Sequence, residues 1–195
     1  MTYIIVGLGN PGEEYAETRH NTGRMLVEML GKLHDAEWKT DKKLEAQVAK
    51  IKIANSAVTL VLPNTFMNLS GKSVKPFIGS LKAAEKMIVI YDDLDLPFGT
   101  NKISFNRSSG GHKGVESIIK SIKTEKFARI RVGISPTTPR GKIKKPSGEE
   151  AVTKVILGKF KPDELTELKK LSKEIATMVE TWVEGGLSKA MSEFN

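Results

Sequence analysis

A chain of 195 residues that is 39% hydrophobic and 28% charged fits one domain, spanning 1–195, with a sizeable core. It carries 31 Lys plus Arg against 23 Asp plus Glu, a net charge of +8, and no cysteine. The missing cysteines exclude a disulfide framework, a thiol metal site and a thiol nucleophile, and make the reducing cytoplasm the expected location. The basic excess favours a polyanionic partner.

The chain starts on a strand pattern, with no charged leader and no apolar run near the roughly 18 residues of a membrane span, so neither export nor membrane insertion is expected. The first strand, 3–6, runs into Gly7-x-Gly9-x-x-Gly12, the spacing of a dinucleotide-binding turn. That turn should lead straight into a helix and be followed about 20 residues on by an acidic strand end. Here EEYAETRHNTG follows instead, placing Glu13, Glu14 and Glu17 where a phosphate would sit. The glycines are expected to form a tight exit loop of unusual dihedrals that presents Asn10 and His20.

Leu26, Met29, Leu30 and Leu33 then mark a helix by their i, i+3, i+4, i+7 spacing. Strands are expected at 45–53 and 58–62, a helix on Val74, Phe77, Ile78 and Leu81, and strands at 87–91 and 102–105. A helix on Val115, Ile118, Ile119 and Ile122 precedes a strand at 129–134. The stretch 135–150, SPTTPRGKIKKPSGEE, reads as a mobile basic loop. A last helix begins at Pro162-Asp163-Glu164, with proline and acids in the first turn. Strands interleaved with helices argue for an α/β fold, a single domain with a twisted, mixed, mainly parallel sheet flanked by helices on both faces.

Four polar clusters each follow a strand: 10–20, PNTFMNLSG at 63–71, DDLDLPFG at 92–99 and SSGGHKG at 108–114. Ligands of open α/β sheets bind outside the carboxyl ends of strands, so these clusters are expected to share one cleft. None shows metal-ligand spacing: His20, His34 and His112 are far apart in sequence, and the carboxylates of DDLD lack further ligands. No G-x-S-x-G elbow is present, which leaves covalent catalysis by serine without support.

Taken together, GLGNPG-x-x-Y-x-x-T-R-H-N-x-G, P-x-TFMN-x-SG, DDLDLP-x-G and GGH-x-G resemble the bacterial peptidyl-tRNA hydrolase family over residues 3–134, with LGKFKPDE at 157–164 in addition. The resemblance implies a monomeric cytoplasmic esterase without cofactor or metal. Such an enzyme cleaves the ester between a peptide's carboxyl end and the 3′ ribose of tRNA, recycling tRNA from prematurely released chains. It implies His20 as general base, Asp92 as the carboxylate that orients it, and Asn68 as the residue placing water or the scissile carbonyl. Asn10 would recognise the blocked peptide amide, while Tyr15, Phe66 and Met67 would contact the acceptor end. The chemistry is consistent: ester hydrolysis without metal or covalent nucleophile needs a base working near neutral pH. Asp93 and Asp95 are expected to be solvated. Basic residues in and around the 135–150 loop, with Lys102, Arg107, Arg129 and Arg131, are expected to meet phosphates. One departure stands out: after GGH the family has Asn and this chain has Lys113, which offers donors but no acceptor. Two other readings remain, a non-catalytic RNA-binding relative of the same fold and a nucleotide-dependent enzyme.

Overall fold

The computed structural model describes residues 2–138, 140 and 142–195; Met1, Pro139 and Gly141 lie outside the described residues. Among the described residues the strands are β1 (Tyr3–Gly7), β2 (Lys39–Asp41), β3 (Ala46–Ile53), β4 (Ser56–Pro63), β5 (Met87–Pro97), β6 (Asn101–Phe105) and β7 (Ala128–Ser135). They form one sheet in the order β2-β3-β4-β1-β5-β7-β6. The centre, β4-β1-β5-β7, is parallel, and both flanks are antiparallel.

The apolar runs YIIV and MIVIY are nearly unbroken because their strands are covered on both sides. Ile5, Ile88, Ile90 and Ile130 meet helices α1 (Thr22–Leu33) and α6 (Pro162–Phe194) through Leu26, Leu30, Leu171 and Trp182. Ile4, Val6, Val89 and Tyr91 face the opposite way, against Val74 of α2 (Ser70–Val74) and Val115 and Ile118 of α4 (Lys113–Ile122). Among the described residues no helix is long and apolar enough to cross a membrane.

Several elements differ from the sequence expectation. The single helix expected on Val74 to Leu81 is three pieces: α2, one turn at Lys75–Phe77, and α3 (Leu81–Glu85). Pro76 cannot continue a helix, and Ser80 starts a new one by accepting from the Ala83 N–H at 3.2 Å. Leu81 is thereby left 57% exposed. β5 runs on through the DDLDLP stretch, expected as a loop, because its pairing to β7 resumes beyond an irregularity between Asp93 and Pro97, with Pro97 opposite Ser135. The segment taken as loop at 135–150 is shorter, since α5 (Glu149–Ile156) begins inside it. A bridge between Thr137 and Ile143 organises part of that segment, while Pro139 and Gly141 within it lie outside the described residues.

The N-terminal glycines serve close packing more than dihedral freedom. Only Gly12 of the three has positive φ, 109°. A Cβ on Gly7 would lie 2.6 Å from the Gly23 carbonyl oxygen, and one on Gly23 would lie 2.0 Å from that of Ile90. Helix α1 therefore sits directly on β1 and β5, which fixes the turn ahead of it. Gly23→Ala should lower stability by roughly 2–3 kcal/mol, since the obstruction is backbone. A urea midpoint equal to wild type would contradict this packing.

Candidate active site

The carboxyl ends of β1, β4 and β5 and the start of α4 supply the polar side chains. After β1 the chain makes two single turns, Glu13–Tyr15 and Arg19–Asn21, before entering α1. Asn21 clamps the β1 exit from both sides: its Oδ1 accepts from the Asn10 N–H and its Nδ2 donates to the Asn10 carbonyl, each at 2.9 Å. The Asn10 side chain reaches the next loop, where Oδ1 accepts from the Met67 N–H at 2.8 Å. That bond orients the amide and leaves Nδ2 as its donor.

His20 and Asp92 meet across 72 residues of sequence. Nδ1 of His20 lies 3.0 Å from both carboxylate oxygens of Asp92, and the two residues are 7% and 3% exposed. A third group completes the cluster. His112 Nε2 lies 3.1 Å from Asp92 Oδ1, its ring centroid 4.9 Å from that of His20 and 4.8 Å from that of Tyr91. The three histidines that look scattered in sequence are thus not all apart. His112 is a site residue beyond those the sequence motifs single out, and the sequence signal for it is its place in GGH at the N-terminus of α4.

The hydrogen bonds assign the tautomers. His112 Nδ1 accepts from the Val115 N–H at 3.3 Å, so its Nε2 carries the proton and donates to Asp92. Neutral His20 likewise donates through Nδ1, which leaves the Nε2 lone pair free. His20, Asp92 and His112 converge as a metal site would. The donor set does not suit a cation, however, because His112 would have to give up the Nε2 proton while Nδ1 is already engaged.

Burial opposes the imidazolium of His20, but the charge and hydrogen bond of Asp92 outweigh it and hold the pKa above the ordinary histidine value. Burial would likewise raise Asp92; the charges and hydrogen bonds of His20 and His112 reverse this and hold it well below the usual carboxylate range. Burial pushes the neighbouring Tyr91 phenol up to about 12. With the folded-state pKa of His20 raised, the pair's stabilisation is fully present below the unfolded histidine value. It is lost as pH climbs through the raised one.

His20 stands between two cavities. One, of about 860 Å³, is walled by Asn10, Phe66, Met67, Asn68, Lys120 and Leu157. The other, of about 470 Å³, is walled by Tyr91, Asp92, His112, Val152 and Ile156 among others. His20, Lys113 and Thr153 line both. Met67 is buried under Gly114, whereas Phe66 is 59% exposed. Tyr15, half-buried in the first turn, lines neither cavity. Lys102 and Arg131 line a third cavity of about 390 Å³ that shares Tyr91, Asp93 and Asp95 with the second.

Two expectations about charge need correcting. Asp93 is an ion-pair partner, 2.6 Å from Arg131 Nε with its side chain 12% exposed, whereas Asp95 is exposed as expected while pairing with Lys145. Arg129 is fully buried. It donates to the Arg107 carbonyl, and its guanidinium lies 4.1 Å from the Phe127 ring centroid. It is therefore not a phosphate contact.

A mixed α/β sheet with a buried carboxylate–imidazole pair opening on a cleft belongs to the class of acid–base hydrolytic folds. A profile of the family described as peptidyl-tRNA hydrolase matches residues 4–195, and the chain belongs to that family. Relatives of that name from Chloroflexus aurantiacus and Syntrophomonas wolfei are 40% and 38% identical over 195 and 193 residues. These alignments cover 99% and 98% of this chain, and 98% and 99% of the relatives. A crystal structure of peptidyl-tRNA hydrolase from Acinetobacter baumannii gives a TM-score of 0.87 at 33% identity, covering 100% of this chain and 94% of that one.

The opposed influences on His20 can be read by NMR titration of its ring. Asp92→Asn leaves burial unopposed, and the midpoint should fall below about 6.5. His112→Ala frees Asp92 from its second partner, and the midpoint should rise. Midpoints that do not move in opposite directions would break the assignment.

Proposed function

We propose that this chain hydrolyses the ester between a peptide's carboxyl end and the 3′ ribose of tRNA, with His20 as the general base. The observation that carries this is that His20 lines both cavities with Nδ1 held by a buried carboxylate, which leaves Nε2 without a protein partner among the described residues. Nε2 takes a proton from water as the water oxygen attacks the ester carbonyl. Asp92 stabilises the imidazolium that forms, with His112 donating to the same carboxylate at Oδ1. The protonated base then returns its proton to the departing ribose oxygen. Products are the free peptide acid and the tRNA hydroxyl, so the reaction consumes one water and needs neither metal nor cofactor.

The amides fit the accompanying roles. With Oδ1 occupied by Met67, Asn10 offers Nδ2 to a peptide carbonyl, and the exposed Asn68 on the same wall can place the water or the carbonyl being attacked. Exposed Phe66 supplies a surface for an unpaired base of the acceptor end; buried Met67 shapes the wall beneath it, and Tyr15 stands outside. Two cavities meeting at the base suit a substrate with two arms. Family membership and the relatives' names support the same substrate. In this reading the enzyme acts alone, as a cytoplasmic monomer, and returns tRNA from prematurely released peptides to use. A non-catalytic RNA-binding role has no need for a buried pair tuned as His20 and Asp92 are.

Replacing His20 by Ala or Asn should lower turnover of an N-blocked aminoacyl-tRNA at least about 10²-fold, with RNA binding preserved. Turnover near the wild-type rate would remove the base assignment. Because only neutral His20 accepts a proton, kcat/KM should increase as pH rises through its raised pKa.

Lys102, Arg131 and the basic 135–150 loop are the proposed phosphate contacts, and Lys113 at the mouth of both cavities joins them. Lacking an acceptor, Lys113 keeps the binding part of the family asparagine's role and gives up the water-placing part. Lys102→Gln and Lys113→Asn should each reduce the slope of log K against log salt by about one. Lys113→Asn should leave saturated turnover equal or higher. An unchanged slope in both variants would place phosphate binding elsewhere.

A further inference from the structure

We infer that Arg19 is a positioning residue for His20, and that it acts through Glu164 at the start of α6. The inference rests on His20 being the base. Arg19 precedes His20 in the same single turn, and its backbone is fixed at both ends. Its N–H donates to the Gly158 carbonyl at 3.0 Å, and its carbonyl accepts from Thr22 Oγ1 at 2.7 Å. The side chain is pinned as well. Nη2 reaches both oxygens of Glu164, at 2.6 and 2.8 Å, in a pair whose side chains are only 15% and 19% exposed.

Glu164 is itself held in place. Its Oε2 accepts from the Lys161 N–H at 2.8 Å, in the first turn of a 33-residue helix that packs along the sheet. A carboxylate is favoured there by the exposed amides of the helix start. The guanidinium also lies 4.8 Å from the ring centroid of Phe160 and 5.9 Å from that of Phe98, and the two rings are 5.8 Å apart. Phe98 immediately follows β5, the strand that carries Asp92. One planar cation therefore touches the helix start, the end of the Asp92 strand and the turn that holds His20. Among the described residues His20 has a single side-chain partner, Asp92. Its backbone placement is accordingly what keeps Nδ1 at 3.0 Å from the carboxylate, and Arg19 supplies that placement. A surface ion pair would carry no such consequence; this pair is largely screened from water, stacked on aromatic rings and adjacent to the base.

The test uses full-length Arg19→Met, Arg19→Lys and Glu164→Gln beside His20→Ala, with an N-blocked aminoacyl-tRNA as substrate. Arg19→Met should lower kcat on the order of 10- to 100-fold, the scale of a small displacement of a reacting group. KM should stay within about twofold of wild type. The acid limb of the pH profile should move to lower pH, because a loosened Asp92 no longer offsets the burial of His20. Arg19→Lys should recover part of the rate, since lysine keeps the charge but not the fork or the stacking. Glu164→Gln preserves shape and the bond from Lys161, so it should fold and still lose rate and shift the limb. A normal kcat and acid limb in Arg19→Met or Glu164→Gln, even with a lowered melting temperature, would reduce the pair to a stability element and overturn the inference. So would a raised KM at unchanged kcat, which would make Arg19 an RNA contact. Normal turnover in His20→Ala would instead overturn the base assignment.

Discussion

The Asp92 carboxylate is the interaction on which the site depends. A buried charge survives only with partners that repay its desolvation, and here two neighbouring imidazoles do so, both within reach of Oδ1. Each partner is delivered by a different part of the chain. His20 comes from the turn before α1, and His112 from the cap of α4, where its Nδ1 also receives the Val115 N–H. Because both nitrogens of His112 are engaged, it cannot act as a second base. Its part is to share the carboxylate and so temper how strongly Asp92 draws a proton onto His20. The result is an imidazole held upright by one nitrogen and open at the other.

The opening glycines serve the same end by other means. Their spacing imitates a phosphate-binding turn, but two of them are there because helix α1 lies against β1 with no room for a Cβ. Close seating of α1 fixes Asn21, and Asn21 fixes the exit of β1 through both backbone groups of Asn10. From there one side-chain bond carries the position of Asn10 to Met67. A short run of hydrogen bonds thus relates the two loops that flank the larger cavity.

Net charge overstates what an RNA would meet. Arg129 is buried over Phe127, Arg131 is paired with Asp93, Lys145 with Asp95, and Arg19 with Glu164. Arg129 and Arg19 are committed to internal partners, whereas Arg131 and Lys145 keep exposed surface beside theirs. Lys113, exposed at the first turn of α4, differs in kind, for it faces the cleft from a rigid element.

The amino-acid sequence determined the parts of this protein that are local. Strand cores, α1, α4 and the start of α6 follow from periodicity and from end signals such as Pro162, because burial on one or two faces imposes a repeat that any window of the chain displays. The clusters at 10–20, 63–71 and 108–114 were legible as strand-end loops, and Asn10, His20 and Asn68 within them, with Asp92 in the stretch after Tyr91, were marked as candidates by the resemblance of their motifs to the family. Tertiary structure decided the rest. The extension of β5 through DDLDLP depends on pairing with β7, which no window contains. The break at Pro76 was written in the chain, but apolar spacing across it suggested one helix. The helix α5 begins at the end of a segment whose composition is that of a loop. Above all, that His112 joins His20 on Asp92, that Asp93 is paired and that Arg129 is buried are facts of three-dimensional neighbourhood. A side chain's partners come from strands and helices tens of residues away, and only the folded sheet brings them within hydrogen-bond reach.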